Sequence, residues 1–186
     1  NAGSLSKEIL ARYGGVNAQA MVASALESIR MLEDCHFEDL VISIKASEPM
    51  LNLEAYQLLA GQTDYPLHIG VTEAGTLREG VIRSAVGIGT LLALGLGDTL
   101  RVSLTADPVE EVRTAWSILS ALDLRRRGPQ LISCPTCGRT EVDLQSVAAA
   151  VEERLIECDQ PLKVAVMGCA VNGPGEARQA DIGLAG

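Results

Sequence analysis

Residues 98–107 read DTLRVSLTAD and run directly into Pro108, Val109 and Glu110. An apolar, β-branched stretch that turns polar at its carboxyl end reads as a strand buried in a parallel sheet. The next residues read as a helix start: Asp107 offers an N-cap oxygen, Pro108 suits the first turn, and Glu110 lies near the positive end of the helix dipole. A β-α unit is therefore written in one short stretch. The same pattern occurs upstream in DLVISIKAS (39–47) and PLHIGVTEAG (66–75). Between these runs, Met21, Val22, Ala25, Leu26, Ile29 and Leu32 share one helical face, and Leu77, Val81, Ile82, Ala85 and Val86 share another. Thr76-Leu-Arg-Glu79 has the spacing of a capping box.

Repeated β-α units imply a parallel sheet with right-handed crossovers. The opening NAGS reads as the tail of one further strand. Three strands and a remnant cannot close an eight-stranded barrel, so the barrel reading makes this chain the second half of a TIM-type (β/α)8 barrel. A complete flavodoxin-like sheet is the rival, and it is short of strands here. After a helix ending near Leu124, RRRGPQ breaks the pattern. The expected organisation is thus residues 1–124 as the barrel portion, 125–130 as a linker, and 131–186 as a small α/β domain. That second domain reads as a strand into CPTC, a helix with Leu144, Val147, Ala148, Val151 and Leu155 on one face, a strand LKVAVMG, a glycine loop and DIGLAG. A core so thin is commonly supplemented by a metal or other staple.

Composition narrows the function. The chain has 186 residues, 47% apolar, with a formal net charge of −9. Nucleic-acid binding is disfavoured, because phosphate backbones need clustered Lys and Arg and the only such run, Arg125 to Arg127, reads as a solvated linker. VGIGTLLALGLG (86–97) is too short for a membrane span and carries four glycines. Neither a nucleic-acid nor a membrane partner is expected. The chain opens at Asn1 without an initiator Met, which leaves room for an upstream targeting segment.

Five cysteines without secretory features point to metal or redox chemistry. Cys134 and Cys137 flank Pro135 at ligand spacing, and Cys169 ends another expected strand in MGCAVNGPGEA (167–177), so three thiolates can meet at strand-to-loop transitions. Zinc would require a fourth ligand. The histidines, His36 and His68, lie in the other domain, His68 reading as a core residue, while Cys35 and Cys158 read as packing thiols. An iron-sulfur cluster tolerates one non-thiolate position, and glycines 168, 173 and 175 leave backbone N–H groups free to approach it. In the first domain, polar residues gather at the carboxyl ends of the expected strands: Lys45 and Ser47, Thr72 and Glu73, Arg101 and Ser103. Such cations and hydroxyls suit a diphosphate. Glu73 is unfavourable beside phosphate unless it binds hydroxyls or moves protons.

CPTCGR followed by GCAVNGPGEA, with NAGS, SIKAS, IGVTEAG and GDTLRVSLTADP in that order upstream, resembles the 4-hydroxy-3-methylbut-2-enyl diphosphate synthases of the non-mevalonate isoprenoid pathway over essentially the whole chain. The resemblance implies a TIM-barrel domain and a carboxyl-terminal 4Fe-4S domain that reductively open 2-C-methyl-D-erythritol 2,4-cyclodiphosphate. Carried over by position, it places the cluster ligands on Cys134, Cys137, Cys169 and Glu176, the last a displaceable carboxylate that lets a substrate oxygen reach iron. It lines the substrate pocket with Lys45, Ser47, Thr72, Glu73, Arg101 and Ser103, adds Asn172 as a substrate contact, and leaves Glu73 handling protons. It further implies a homodimer sharing its site between subunits, flavodoxin or ferredoxin as electron donor, and a bacterial cytoplasmic setting with the plastid as alternative. A segment of these limits is expected to be inactive alone, lacking the first half of the barrel. Two other readings stand beside it: a Schiff-base aldolase using Lys45, and a non-catalytic zinc or electron-transfer module.

Overall fold

The computed structural model describes residues 1–171 and 173–185. Two compact units divide the chain, Asn1–Leu122 and Asp123–Gly186.

The first unit opens with a 3-10 turn, Ala2–Ser4, followed by α1 (Lys7–Tyr13) and α2 (Ala18–Asp34). Both helices are capped by side chains: Ser6 accepts from the Ile9 N–H at 3.2 Å and Asn17 Oδ1 from the Ala20 N–H at 2.8 Å. Met21, Val22 and Ile29 of α2 are buried as the periodicity requires, while Leu32 remains 42% exposed. Next come α3 (Pro49–Ala60), β1 (His68–Gly70), α4 (Leu77–Ala93), β2 (Thr99–Arg101) and α5 (Pro108–Ala121). Strands β1 and β2 are parallel, with His68 opposite Thr99, Ile69 opposite Leu100 and Gly70 opposite Arg101. Ile44, Ala46, Leu67, Ile69 and Val102 pack with Met21, Tyr56, Leu59, Ile88, Leu91 and Ile118 of the helices to form one core. The start of α5 is as expected, since Asp107 accepts from the Val109 N–H at 2.8 Å and Pro108 occupies the first position.

Several expectations are corrected. The sheet is small and unclosed, and NAGS is a 3-10 turn whose Ala2 N–H reaches the Lys45 carbonyl at 2.8 Å. Residues 39–47 do not form a regular strand; their one bridge there pairs Ile42 with Leu67. The reason lies in α3, a helix the sequence reading missed because its apolar residues occur around the whole circumference. Tyr56 and Asn52 reach from α3 into the line where the backbone ladder would run, so Ile44 N–H donates to Tyr56 Oη and Ala46 N–H to Asn52 Oδ1. The face of α4 is also corrected. Its buried residues are Gly80, Ser84, Gly87, Ile88 and Leu91, whereas Leu77, Ile82 and Val86 are 43%, 56% and 50% exposed. Small residues face the core because the approach is close: a Cβ on Gly87 would lie 2.5 Å from Val71 Cγ2. Thr76 is the N-cap of α4 but makes no side-chain capping bond, so the capping box is not formed. Cys35 is exposed at the end of α2 and is not a packing thiol.

The second unit contains β3 (Gln130–Ser133), α6 (Leu144–Leu155), β4 (Lys163–Met167), α7 (Gly173–Ala177) and β5 (Ile182–Ala185). Its three strands are parallel in the order β3-β4-β5, with Ser133 opposite Val166 and Met167 opposite Ala185. Val164 through Met167 of the central strand are buried. The expected glycine loop contains the short helix α7, and of the expected apolar face of α6 Leu144 alone is fully buried.

Two substitutions on α4 should move stability in opposite directions. Gly87→Ala forces a methyl against buried Val71 and is expected to destabilise by about 1–3 kcal/mol. Ser84 Oγ is buried without a hydrogen-bond partner among the described residues, and Ser84→Ala should stabilise by roughly 1 kcal/mol. Urea denaturation midpoints of the two variants check both signs.

Candidate active site

Alternation along the extended segments sorts residues onto two faces. Ile44, Ala46, Ile69, Val71 and Val102 turn into the core, 5% exposed or less. Ser43, Lys45, Ser47, His68, Thr72, Arg101 and Ser103 therefore belong to the opposite face, and none of them is buried. Cross-strand contacts confirm their proximity: His68 Nδ1 lies 2.8 Å from Thr99 Oγ1, and Ser43 Oγ donates to the His68 carbonyl at 2.9 Å. Lys45 passes over Gly70, its Cε lying 3.5 Å from where a Gly70 Cβ would be. Glycine is required there because a Cβ would come within 2.6 Å of the Arg101 carbonyl oxygen. The result is a cluster of three basic groups. Burial and then the Arg101 guanidinium push the Lys45 ammonium below its ordinary value. Burial, then Lys45 and Arg101, push His68 down as well. A site that disfavours its own positive charge is one that an anion would relieve.

Glu73 extends this edge with an exposed side chain and a φ of 54°, a left-handed conformation uncommon outside glycine. Thr72 is fixed by its N–H, which donates to the Ala46 carbonyl at 3.1 Å. On the other side, Glu111 of α5 accepts from the Leu104 N–H at 2.7 Å and so anchors the backbone next to Ser103. His68 belongs to this polar face, contrary to the core role read from sequence. A cavity of about 290 Å³ lies elsewhere, between α2 and residues 41–44, with Met21, Ala25, Ile29 and Val41 among its lining. Among the described residues, none of the expected substrate contacts lines it.

In the second unit, Cys134 follows β3 and Cys169 follows β4. The Cys134 N–H continues the ladder to the Val166 carbonyl at 3.2 Å, and the Gly168 N–H donates to Cys134 Sγ at 3.4 Å. Two of the three thiol positions thus stand at adjoining carboxyl ends of parallel strands. Cys169 is buried, Cys134 half-buried and Cys137 exposed, the last held by its N–H to Thr140 Oγ1 at 3.1 Å. Glu176 is exposed in the first turn of α7. Among the described residues, no three His, Cys, Asp or Glu side chains are gathered closely enough to hold a metal ion. The donor set itself, three cysteine sulfurs of which Cys134 Sγ accepts the Gly168 N–H, fits a soft iron-sulfur centre better than a hard cation. Asn172 lies outside the described residues.

Residues 1–116 match the family model described as the GcpE TIM-barrel domain, and residues 130–186 match that of the GcpE protein C-terminal domain. The chain belongs to the GcpE family. Its GcpE relatives include proteins named 4-hydroxy-3-methylbut-2-en-1-yl diphosphate synthase (flavodoxin). That of Caldanaerobacter subterraneus subsp. tengcongensis is 60% identical over 186 residues, all of this chain and 52% of its own length. That of Geobacter sulfurreducens is 60% identical with 53% of its length covered, and that of Clostridium perfringens 57% identical with 53% covered. The chain spans about half the length of these curated GcpE relatives. Among its described residues, no helix is long and apolar enough to cross a membrane.

The basic cluster yields a signed pH dependence. His68 titrates below its ordinary value in the folded state, so on acidification the unfolded chain takes up the proton first. Stability from this source is complete above about pH 6.5 and is lost as pH falls through the folded value. Thermal unfolding from pH 7 to 5 should show a shallower acid-side decline in His68→Asn than in the parent. Identical slopes would contradict the assignment.

Proposed function

We propose that the polypeptide carrying this segment reductively opens 2-C-methyl-D-erythritol 2,4-cyclodiphosphate to 4-hydroxy-3-methylbut-2-enyl diphosphate, with two electrons entering and water leaving. The observation that carries this reading is the convergence of Lys45, Thr72, Arg101 and Ser103 on one strand face in a chain whose relatives are named for that product. In this reading, residues 1–124 are the second half of a TIM-type barrel, with residues 125–130 as linker and residues 131–186 as the cluster domain. Arg101 grips phosphate oxygens through its planar fork, Lys45 supplies a compact charge, and Ser47, Thr72 and Ser103 donate hydroxyls. Asn172 contacts the substrate. Glu73, placed at the strand end away from the core, supplies the proton with which the substrate's C3 hydroxyl departs as water, while the oxygen of the broken ring C–O bond stays on the diphosphate. Cys134, Cys137, Cys169 and Glu176 would hold a 4Fe-4S cluster, which when bound supplies electrons and a Lewis-acidic iron. A carboxylate at Glu176 keeps one position exchangeable, where a fourth thiolate would close it.

The relatives' names specify flavodoxin, so flavodoxin is proposed as electron donor, with ferredoxin as the alternative. A homodimer sharing its site between subunits and a bacterial cytoplasmic or plastid location complete the proposal. A second reading rests on one observation: a lysine whose ammonium is disfavoured is a better nucleophile, so Lys45 could form a Schiff base. Borohydride trapping with a carbonyl substrate tests it, and the absence of a trapped adduct removes it.

Anaerobic purification of the full-length polypeptide should yield iron and sulfide in equal amounts and turnover of the cyclic diphosphate with a reducing partner. Arg101→Lys should raise KM by about 10–100-fold through loss of the bidentate grip. Glu73→Gln should lower kcat by about 100-fold or more with cluster content unchanged. Bound zinc in place of iron would remove the reading.

A further inference from the structure

In an unbroken parallel ladder, the Ile44 N–H would donate to the His68 carbonyl and the Ala46 N–H to the Gly70 carbonyl, each at about 2.9 Å. Here both positions are filled by side chains of α3. Tyr56 Oη accepts from Ile44 N at 3.2 Å and donates to His68 O at 2.7 Å. Asn52 Oδ1 accepts from Ala46 N at 2.6 Å, and its Nδ2 donates to Gly70 O at 2.8 Å. Each inserted group replaces one contact by two in series and therefore holds the strands apart at that point. The opening is bounded by direct bonds at both ends, His68 N to Ile42 O at 2.8 Å and Thr72 N to Ala46 O at 3.1 Å.

The residue between the two wedged amides is Lys45. Its own carbonyl is held from the other side by the Ala2 N–H at 2.8 Å, and its side chain crosses Gly70, whose carbonyl Asn52 holds. Both wedges are rigid. Tyr56 and Asn52 are completely buried, are spaced one helical turn apart, and have every polar atom paired. Burial pushes the Tyr56 phenol up to about 12, so it remains a donor through neutral pH. Simpler packing would have placed an apolar side chain at each position and left the ladder closed.

We propose that Asn52 and Tyr56 are positioning residues: by splitting the backbone ladder on both sides of Lys45, they set where its ammonium stands relative to Arg101 and the ends carrying Thr72 and Glu73. This rests on the anion-binding role proposed above for Lys45 and Arg101. Removing either wedge lets the strands close and displaces Lys45 without touching any group that meets the ligand. Displacement of a reacting or holding group by about 1 Å can cost up to 100-fold.

The test uses the full-length enzyme with Tyr56→Phe and Asn52→Ala, and Leu59→Ala as a control that opens a core cavity on the same helix without touching the ladder. Two readouts are taken at 25 °C: kcat for the cyclic diphosphate and the affinity for inorganic diphosphate. Tyr56→Phe and Asn52→Ala are expected to lower kcat by about 10–100-fold and weaken diphosphate by at least about fivefold, at parental iron content. Leu59→Ala is expected to lower the thermal midpoint while keeping both readouts within about twofold. If Asn52→Ala fails to fold, Tyr56→Phe, which deletes one oxygen, decides alone. Parental values for both readouts in Tyr56→Phe, or equal losses in Leu59→Ala, overturn the proposal. A parent enzyme that binds diphosphate but does not turn over the cyclic substrate sinks the reaction assigned above and leaves the positioning claim to the affinity readout.

Discussion

The parallel register of β1 and β2, together with the extended segment beside them, is the constraint on which the rest of the first unit depends. Strand side chains alternate strictly, so a one-residue slip of β1 against β2 would send Ile69 outward and bury His68 while Val102 stayed in the core. In the observed register the helices take the apolar set and the opposite face collects the cations and hydroxyls. The core and the proposed binding face are thus two consequences of one pairing. Gly70 joins them, since a Cβ there would collide with the Arg101 carbonyl oxygen of the neighbouring strand, and the Lys45 side chain passes over the same position.

Much of this arrangement was legible in the sequence. The run DTLRVSLTAD followed by Pro108 announced a strand and a helix start, and Asp107 caps α5 as its spacing implied. Polar residues at strand ends stood out because the preceding residues were apolar. What escaped was set by close approach or by long-range partners. Helix α4 buries Gly80, Ser84 and Gly87, residues that carry no hydrophobic signal, so counting large apolar side chains selected its exposed face. Helix α3 has apolar residues on all sides, and the bonds of Asn52 and Tyr56 run to backbone groups that no local pattern specifies. The strand expected over 39–47 was lost for the same reason, because its ladder partners are side chains.

The second unit shows the complementary case. Three parallel strands in sequential order, with the thiols after β3 and β4, arise from the alternation of apolar runs and helix. That Cys134 and Cys169 come to adjoining strand ends was readable from that topology. The placement of Cys137 in an exposed turn was not, since C-x-x-C spacing alone does not fix where the second sulfur points. In the proposed cluster, Glu176, exposed on α7, would be an oxygen ligand held more weakly than a thiolate, and so open to exchange with a substrate oxygen.

The central proposal is that one iron of the cluster this unit would hold carries the Glu176 carboxylate oxygen and gives it up to substrate. Mössbauer spectroscopy of the full-length enzyme, enriched in iron-57 and prepared without oxygen, measures this directly. The account predicts one iron site distinct from the others, whose parameters change when the cyclic diphosphate is added and do not change in the same way in Glu176→Cys. Equivalent irons, or a spectrum indifferent to substrate, would contradict it.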